Sequence, residues 1–504
     1  MKRLFKRLGL TLLLLVLLLI ARPAWHLGMT AWNDPDSPVP PPAEGLTDAS
    51  RMETAPVNEW HLPVAASLEE AEASLREALA RARDTHRSVT LGGARHSMGG
   101  HTLRDQALHI HLQHLNHIQY DADQQTLRVG AGARWAEILP ILDQHGRSVA
   151  VMQSNNSFSV GGSLSANCHG WAFPCAPIAS TVRQFRLMLA NGEVRVCSRT
   201  QNEDLFQAAL GGYGLMGIIT EAVLTTVPNH LLVRERWVLS IQDAFATYQE
   251  HIENDPTVEL AYGRFDVSEE HFLKRLVVTA WRNEGAPPNT PLQTPRLRGL
   301  RRAVFRGSVG SDYGKRLRWV AETKIQPHAA SDQQTRNNLL NESVTVFANH
   351  DPHATDILHE YFLPEDSVPA FLEHVRSGVR NHQVDLLNVT IRRVETDNDT
   401  LLRYADRPLF ALVMLFHQKR TEAAEQSMRS CTRELIAAAL DLDGRYYLPY
   451  RPHATLEQFH QAYPAAETFR QIKSRVDPES LFRNRFFDRY LATPPAGGTG
   501  SPQP

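Results

Sequence analysis

The segment Leu91-Gly92-Gly93-Ala94-Arg95-His96-Ser97-Met98-Gly99-Gly100 sets glycines, a cation and a histidine side by side. Glycines let backbone amides approach a pyrophosphate closely, and an arginine beside them would pair with its charge. The segment lacks the Gly-Lys-Ser/Thr ending of a Walker loop and does not open a helix as a G-x-G-x-x-G fingerprint does. Alone, it reads more readily as a structural turn, since glycine punctuates loops generally. His109, His111, His114 and His117 invite a metal reading, because His109 and His111 share one face of a strand. A solvated strand edge is the better reading, and no metal is expected. Cys168, Cys175, Cys197 and Cys431 are too few for a disulfide scaffold and lack zinc spacing. Free or buried thiols are expected, although an exported chain would permit a Cys168–Cys175 bridge.

These residues need elements to hold them. Ser67 followed by Glu70 resembles a capping box, and the run to Arg83 has helical spacing, which predicts a helix over Ser67–Arg83. A strand over Ser88–Leu91 enters the glycine loop, alternation at Leu108, Ile110 and Leu112 predicts another, and a helix runs from Trp135 to Gly146. Phe185–Leu189, the Asn191-Gly192 turn and Glu193–Cys197 read as a hairpin, followed by a helix around Asp204–Ala209, glycines and a further strand. Strands alternating with helices imply an α+β architecture. Beyond Pro228 the segments become longer and mixed, and the Pro/Gly/Arg-rich stretch Glu284–Gly310 is expected to be an exposed loop.

At 504 residues the chain exceeds what one hydrophobic core organises, so two folding units are expected. With 42% apolar and 21% charged residues the composition is that of a globular protein, which excludes disordered and collagen-like classes. A net charge of −2 without a basic stripe argues against nucleic acid as a partner. Lys2, Arg3, Lys6 and Arg7 precede an apolar run from Leu8 to Ala21. No small-x-small site follows, so an uncleaved single-pass anchor in the inner membrane is expected over 1–27, with the catalytic body outside the cytoplasm; a cleaved, periplasmic form is the alternative. Pro38 and Pro40–Pro42 make 28–59 an extended spacer, and the Gly/Pro/Ser-rich residues 494–504 read as a disordered tail.

The loop at Gly93-Ala94-Arg95-His96-Ser97 resembles that of vanillyl-alcohol oxidase-type FAD-binding proteins, which include alditol oxidase, the sugar-lactone oxidases and cytokinin dehydrogenase. The resemblance continues through Thr126–Trp135, Phe158–Gly170, Gly211–Thr220 and Asp477–Asn484, in the family's order. It implies FAD, held covalently through His96. Gly92, Gly93, Ala94, Arg95 and Ser97, with Gly161, Gly162 and Ser163, are implied to surround the pyrophosphate, and Gly217 and Ile218 to meet the adenosine end. Cys168 precedes the family's His169-Gly170 pair where relatives carry a small residue that influences oxygen access. Its size points to restricted access and a quinone or cytochrome acceptor, against a purely packing role.

Flavin oxidation of an alcohol needs a base and a positive group near the reacting carbon. The pair Val389–Val394 and Phe410–His417 looks like the family's substrate-domain strands, which nominates Arg392 and His417. The returning segment Tyr450–Thr455 nominates Arg451 and His453. The resemblance therefore implies a FAD-binding domain in two parts, 60–228 and 432–493, with an inserted α+β substrate (cap) domain at 229–431. The implied activity is oxidation of a CH–OH group of a small polar substrate such as a polyol, sugar or lactone, by hydride transfer to flavin N5, with reoxidation by oxygen or a membrane electron acceptor. A flavin-dependent reductase of a C=C bond and a catalytically idle, flavin-bearing membrane factor are the alternatives.

Overall fold

The computed structural model describes residues 20–34, 37–40, 45–57, 59–63, 66–287, 291–293, 297–329 and 331–492. The chain is a mixed α/β protein built on open sheets. The first sheet is parallel, with Leu108–His111 between Glu59–His61 and Val89–Gly92. Helix Leu68–Asp84 covers it. Ser67 caps that helix by accepting from the Glu70 amide, and Leu75, Leu79 and Ala82 recur at helical spacing, fully buried. They pack with Val89, Leu108 and Ile110. Burying each leucine contributes about 1.5–3 kcal/mol, so the helix holds the strand that delivers the glycine loop. Phe482 bridges Val89 from the C-terminal side, and the Val89 amide donates to Leu481 O.

A second, antiparallel sheet follows the order Val194–Ser198, Val182–Met188, Ile218–Pro228, Thr126–Gly130, Ile118–Asp121, with Arg147–Val149 also on Ile218–Pro228. The largest sheet is antiparallel throughout and has eight strands: Gln333–Thr335, Leu231–Ser240, Arg275–Asn283, Val258–Phe265, Asp385–Val394, Leu409–Lys419, Ala354–Leu363 and Arg445–Tyr446. Helices Val368–Asn381 and Glu422–Asp441 pack on it, burying Phe371, Leu372, Met428 and Leu435.

Several expectations change. Among the described residues no helix is long and apolar enough to cross a membrane, which overturns the single-pass inner-membrane anchor. Most of the apolar run from Leu8 lies outside the described residues, as does the 494–504 tail. A helix over 20–33 follows the run and docks on the chain near residue 307, where His26 Nε2 lies 2.9 Å from Gly307 O and Asp34 pairs with Arg302. The spacer expected over 28–59 contains the hairpin Leu46–Thr47 with Thr54–Ala55, whose Leu46 and Ala55 are buried. Its Asp48 accepts from the Gly100 amide at 3.2 Å, tying it to the glycine loop. Arg298–Arg306, expected as loop, is a helix that buries Phe305 edge-on to Phe347. A boundary at Cys431 falls inside helix Glu422–Asp441, where Cys431 is itself core.

Candidate cofactor cleft and active site

Strand Val89–Gly92 ends in the glycine loop, which Ser159 pins to the short helix Val160–Ser165 by accepting from the Ala94 amide at 3.2 Å. A Cβ on Gly93 would lie 2.2 Å from Ser159 Oγ, so a larger residue would push that hydroxyl off the Ala94 amide. Arg95 adopts a left-handed φ of 55°, and the amides of Arg95, His96 and Ser97 find no protein acceptor among the described residues. Such a run of open amides is a nest for an anion. Burial lowers the Arg95 pKa, and among the described residues no carboxylate pairs with it. His96 stacks on Phe158 at 4.0 Å, with Nε2 3.4 Å from Ser157 O. Burial pushes it down to about 4, against the Ser157 carbonyl, so its ring is neutral at neutral pH. Amides and a cation that meet no partner among the described residues, set on a glycine cradle, fit a dinucleotide.

The loop opens on a cavity of about 1530 Å³, larger than the roughly 300–1,000 Å³ typical of one small-molecule site. Gly92, Gly93, Ala94, Arg95, His96, Ser97, Gly161, Gly162, Cys168, His169 and Gly217 line it. Ser163, Gly170 and Ile218 do not. Ser163 Oγ bonds Trp135 Nε1 and Gln153 Oε1 in the core, a Cβ on Gly170 would strike Met152 O, and Ile218 is a buried strand residue. The four cysteines are free, and burial pushes Cys168 up to about 12, so its thiol stays protonated.

The opposite wall is one face of the eight-stranded sheet. Of the four nominated catalytic side chains, Arg392 lines the cavity; His417, Arg451 and His453 do not. His417 Nδ1 is held by Asp356 at 2.7 Å. Arg451 and His453 converge on buried Glu425, at 2.6 and 2.9 Å, and Arg451 also pairs with Glu53, so they tie the C-terminal segment to a helix. Their spacing in the sequence carried no sign of those acidic partners.

Sequence reasoning missed Glu360, which lines the cavity. Its Oε1 lies 2.5 Å from His169 Nε2, and its Oε2 accepts from the Tyr450 hydroxyl at 3.1 Å. Burial pushes the Glu360 carboxyl up, but His169 and Arg392 outweigh it and hold the carboxyl below its usual range. Arg392 donates to Ser154 Oγ at 3.1 Å and keeps a buried Nε with no partner among the described residues. Asp356, Leu358 and Glu360 alternate toward the cavity, the period-2 signal that would have found them. A carboxylate beside a guanidinium and a phenol can accept a proton while the cation holds an oxygen.

His109 is fully buried rather than on a solvated edge, because Thr90 Oγ1 meets its Nδ1 at 2.9 Å beneath the loop. Among the described residues no group of histidines, cysteines or carboxylates could hold a metal ion.

Residues 66–198 match the FAD binding domain model, and residues 222–490 match the model described as D-arabinono-1,4-lactone oxidase. The chain is 28% identical to L-gulonolactone oxidase of Mus musculus over 179 residues, 35% of this chain and 40% of that protein. It therefore spans about two fifths of that relative's length. It is 25% identical to cytokinin dehydrogenase 1 of Arabidopsis thaliana over 467 residues, 82% of this chain and 77% of that protein. A putative D-arabinono-1,4-lactone oxidase of Neurospora crassa is 29% identical over 184 residues, 36% of this chain and 33% of that protein.

Proposed function

We propose, from the premise that this chain belongs to the D-arabinono-1,4-lactone oxidase family and is a FAD-dependent oxidoreductase, that it oxidises a CH–OH group of a small polar substrate. Bound FAD supplies the hydride acceptor. The glycine loop, with Arg95 and the Gly161-Gly162 turn, would hold the diphosphate, and His96 would carry the flavin's 8α-methyl carbon on its neutral ring. Glu360 takes the hydroxyl proton as the carbinol carbon gives up its hydride, leaving a carbonyl product. Arg392 steadies the substrate oxygen, while His169 and Tyr450 orient the Glu360 carboxylate by hydrogen bonds. Cys168, protonated and lining the cavity, narrows access for oxygen and favours a quinone or cytochrome acceptor. The FAD-binding unit spans 60–228 and returns after the helix Glu422–Asp441, with the substrate unit between.

The observation that carries this reading is Glu360, bonded to His169 and Tyr450 on the cavity wall that also holds Arg392. Anaerobic mixing of the flavin-loaded protein with polyols, sugars and lactones tests it. Bleaching of the flavin by a hydroxyl compound, with a carbonyl product, is expected; bleaching by a nicotinamide donor alone would refute it.

A further inference from the structure

The cavity has a second end with a different charge. Glu360 lies opposite Val413, Val413 opposite Thr390, and Thr390 opposite Arg264. Three inter-strand steps therefore separate Glu360 from Arg264, about 14 Å between Cα atoms. Arg236 lies opposite Thr279, which lies opposite Tyr262, two residues before Arg264 on the same face. Arg318 enters from helix Asp312–Val320 and donates to Leu387 O and Asn388 Oδ1. Arg236, Arg264 and Arg318 all line the cavity.

Among the described residues Glu322 is the carboxylate that lies near all three guanidiniums. Arg264 pairs with Glu322 at 2.6 Å, whereas Arg236 donates to the Glu322 carbonyl and to Gln326 Oε1. The nearby acids are engaged elsewhere: Asp332 by Arg234, Asp385 by Lys315, and Asp356 by Arg306 and His417. The Nε atoms of Arg236 and Arg264 are buried without a partner among the described residues. Burial, with Arg264 beside it, pushes Arg318 down to about 10. Half-buried cations in excess over their counter-charge are costly unless an anion completes them, and a planar guanidinium suits carboxylate and phosphate oxygens. Between the two ends Trp171 stacks on Tyr262, with ring centroids 4.7 Å apart, and both rings line the passage.

We propose that Arg236, Arg264 and Arg318 form a subsite for a terminal anion, carboxylate or phosphate, on the hydroxyl substrate. This rests on the CH–OH reading above and narrows it: the substrate is a polyhydroxy acid or a polyol phosphate whose charged end lies several carbons from the oxidised one. A neutral polyol or lactone leaves the arginines unsatisfied.

Sorbitol, gluconate and sorbitol phosphate share one polyol chain and differ in the terminal charge. Each is mixed anaerobically with the flavin-loaded protein, and each is also tested for protection against thermal unfolding. At least one anionic member is expected to reduce the flavin at a concentration about ten- to a hundredfold lower than sorbitol, as charge-assisted hydrogen bonds allow. Which of the two does so distinguishes carboxylate from phosphate. Arg264→Gln is expected to remove that advantage while leaving flavin content and reduction by sorbitol in place; Arg264→Lys is expected to restore part of it, and Arg236→Gln repeats the test at an independent position. Equal use of neutral and anionic members, or an Arg264→Gln loss that falls on sorbitol equally, overturns the subsite while the CH–OH reading stands. Thermal protection by the anionic members without flavin reduction upholds the subsite and refutes the CH–OH reading. Neither reduction nor protection overturns both.

Discussion

Replacing Glu360 by glutamine removes the proposed base and keeps its shape. The amide can still meet His169 and Tyr450, whose atoms lie 2.5 and 3.1 Å from the carboxylate, so the cavity wall stays in place. What is lost is the charge that receives the hydroxyl proton. A positioned general base contributes about 10²–10⁴-fold, so flavin reduction is expected to slow by that factor, about 2.7–5.5 kcal/mol in the barrier. Anaerobic rapid mixing isolates this step from flavin reoxidation, and flavin content with a thermal melt reports folding. The Glu360 carboxyl is held below its usual range, so the wild-type reduction rate should hold steady as pH falls from neutral and drop only below about pH 4.3, the unperturbed glutamate value. A Glu360→Gln protein that reduces its flavin at the wild-type rate would refute the assignment, and so would a wild-type rate that titrates near neutrality.

Other outcomes follow from the same geometry. His96→Ala should yield protein whose flavin leaves on acid denaturation, whereas wild-type polypeptide keeps its flavin fluorescence; fluorescence retained by the variant would place the bond elsewhere. Cys168→Ala should speed reoxidation of the reduced flavin by oxygen, measured by stopped flow after anaerobic reduction, because the thiol lines the cavity with little room around it. Glu425→Ala leaves Arg451 with Glu53 alone and His453 with Thr432 alone, and should lower stability by about 1–3 kcal/mol in a denaturant melt. The Glu425 carboxyl is held far below its ordinary value: burial opposes this, but hydrogen bonds from His453 and the charge of Arg451 outweigh it. The stability it contributes should therefore be present above about pH 4.3 and fade as pH falls toward its folded value.

The glycine-loop side of the cleft was legible where it is local. The strand and its glycine turn follow one another in the sequence, and the glycines mark a close backbone approach there, although Ser159, which Gly93 makes room for, arrives from a short helix far along the chain. The helix over Ser67–Arg83 was legible for the same reason, through its cap and its periodicity. The substrate side was not, because its wall is assembled across strands far apart in the chain. Glu360 meets His169 from 191 residues away, and nothing in either neighbourhood names the other. Arg451 and His453 looked catalytic beside a returning segment, yet Glu425 on a distant helix claims both. The apolar N-terminal run suggested an anchor by composition, while the helix over 20–33 carries Arg22 and His26 to contacts with Tyr313 and Gly307.

The most direct test of hydride removal at this cavity is a deuterium comparison. The hydroxyl compound that reduces the flavin fastest is mixed anaerobically, with hydrogen or with deuterium on the carbinol carbon. Slower bleaching with deuterium, and one carbonyl product for each flavin reduced, is the predicted result. Equal rates without a carbonyl product would contradict the account.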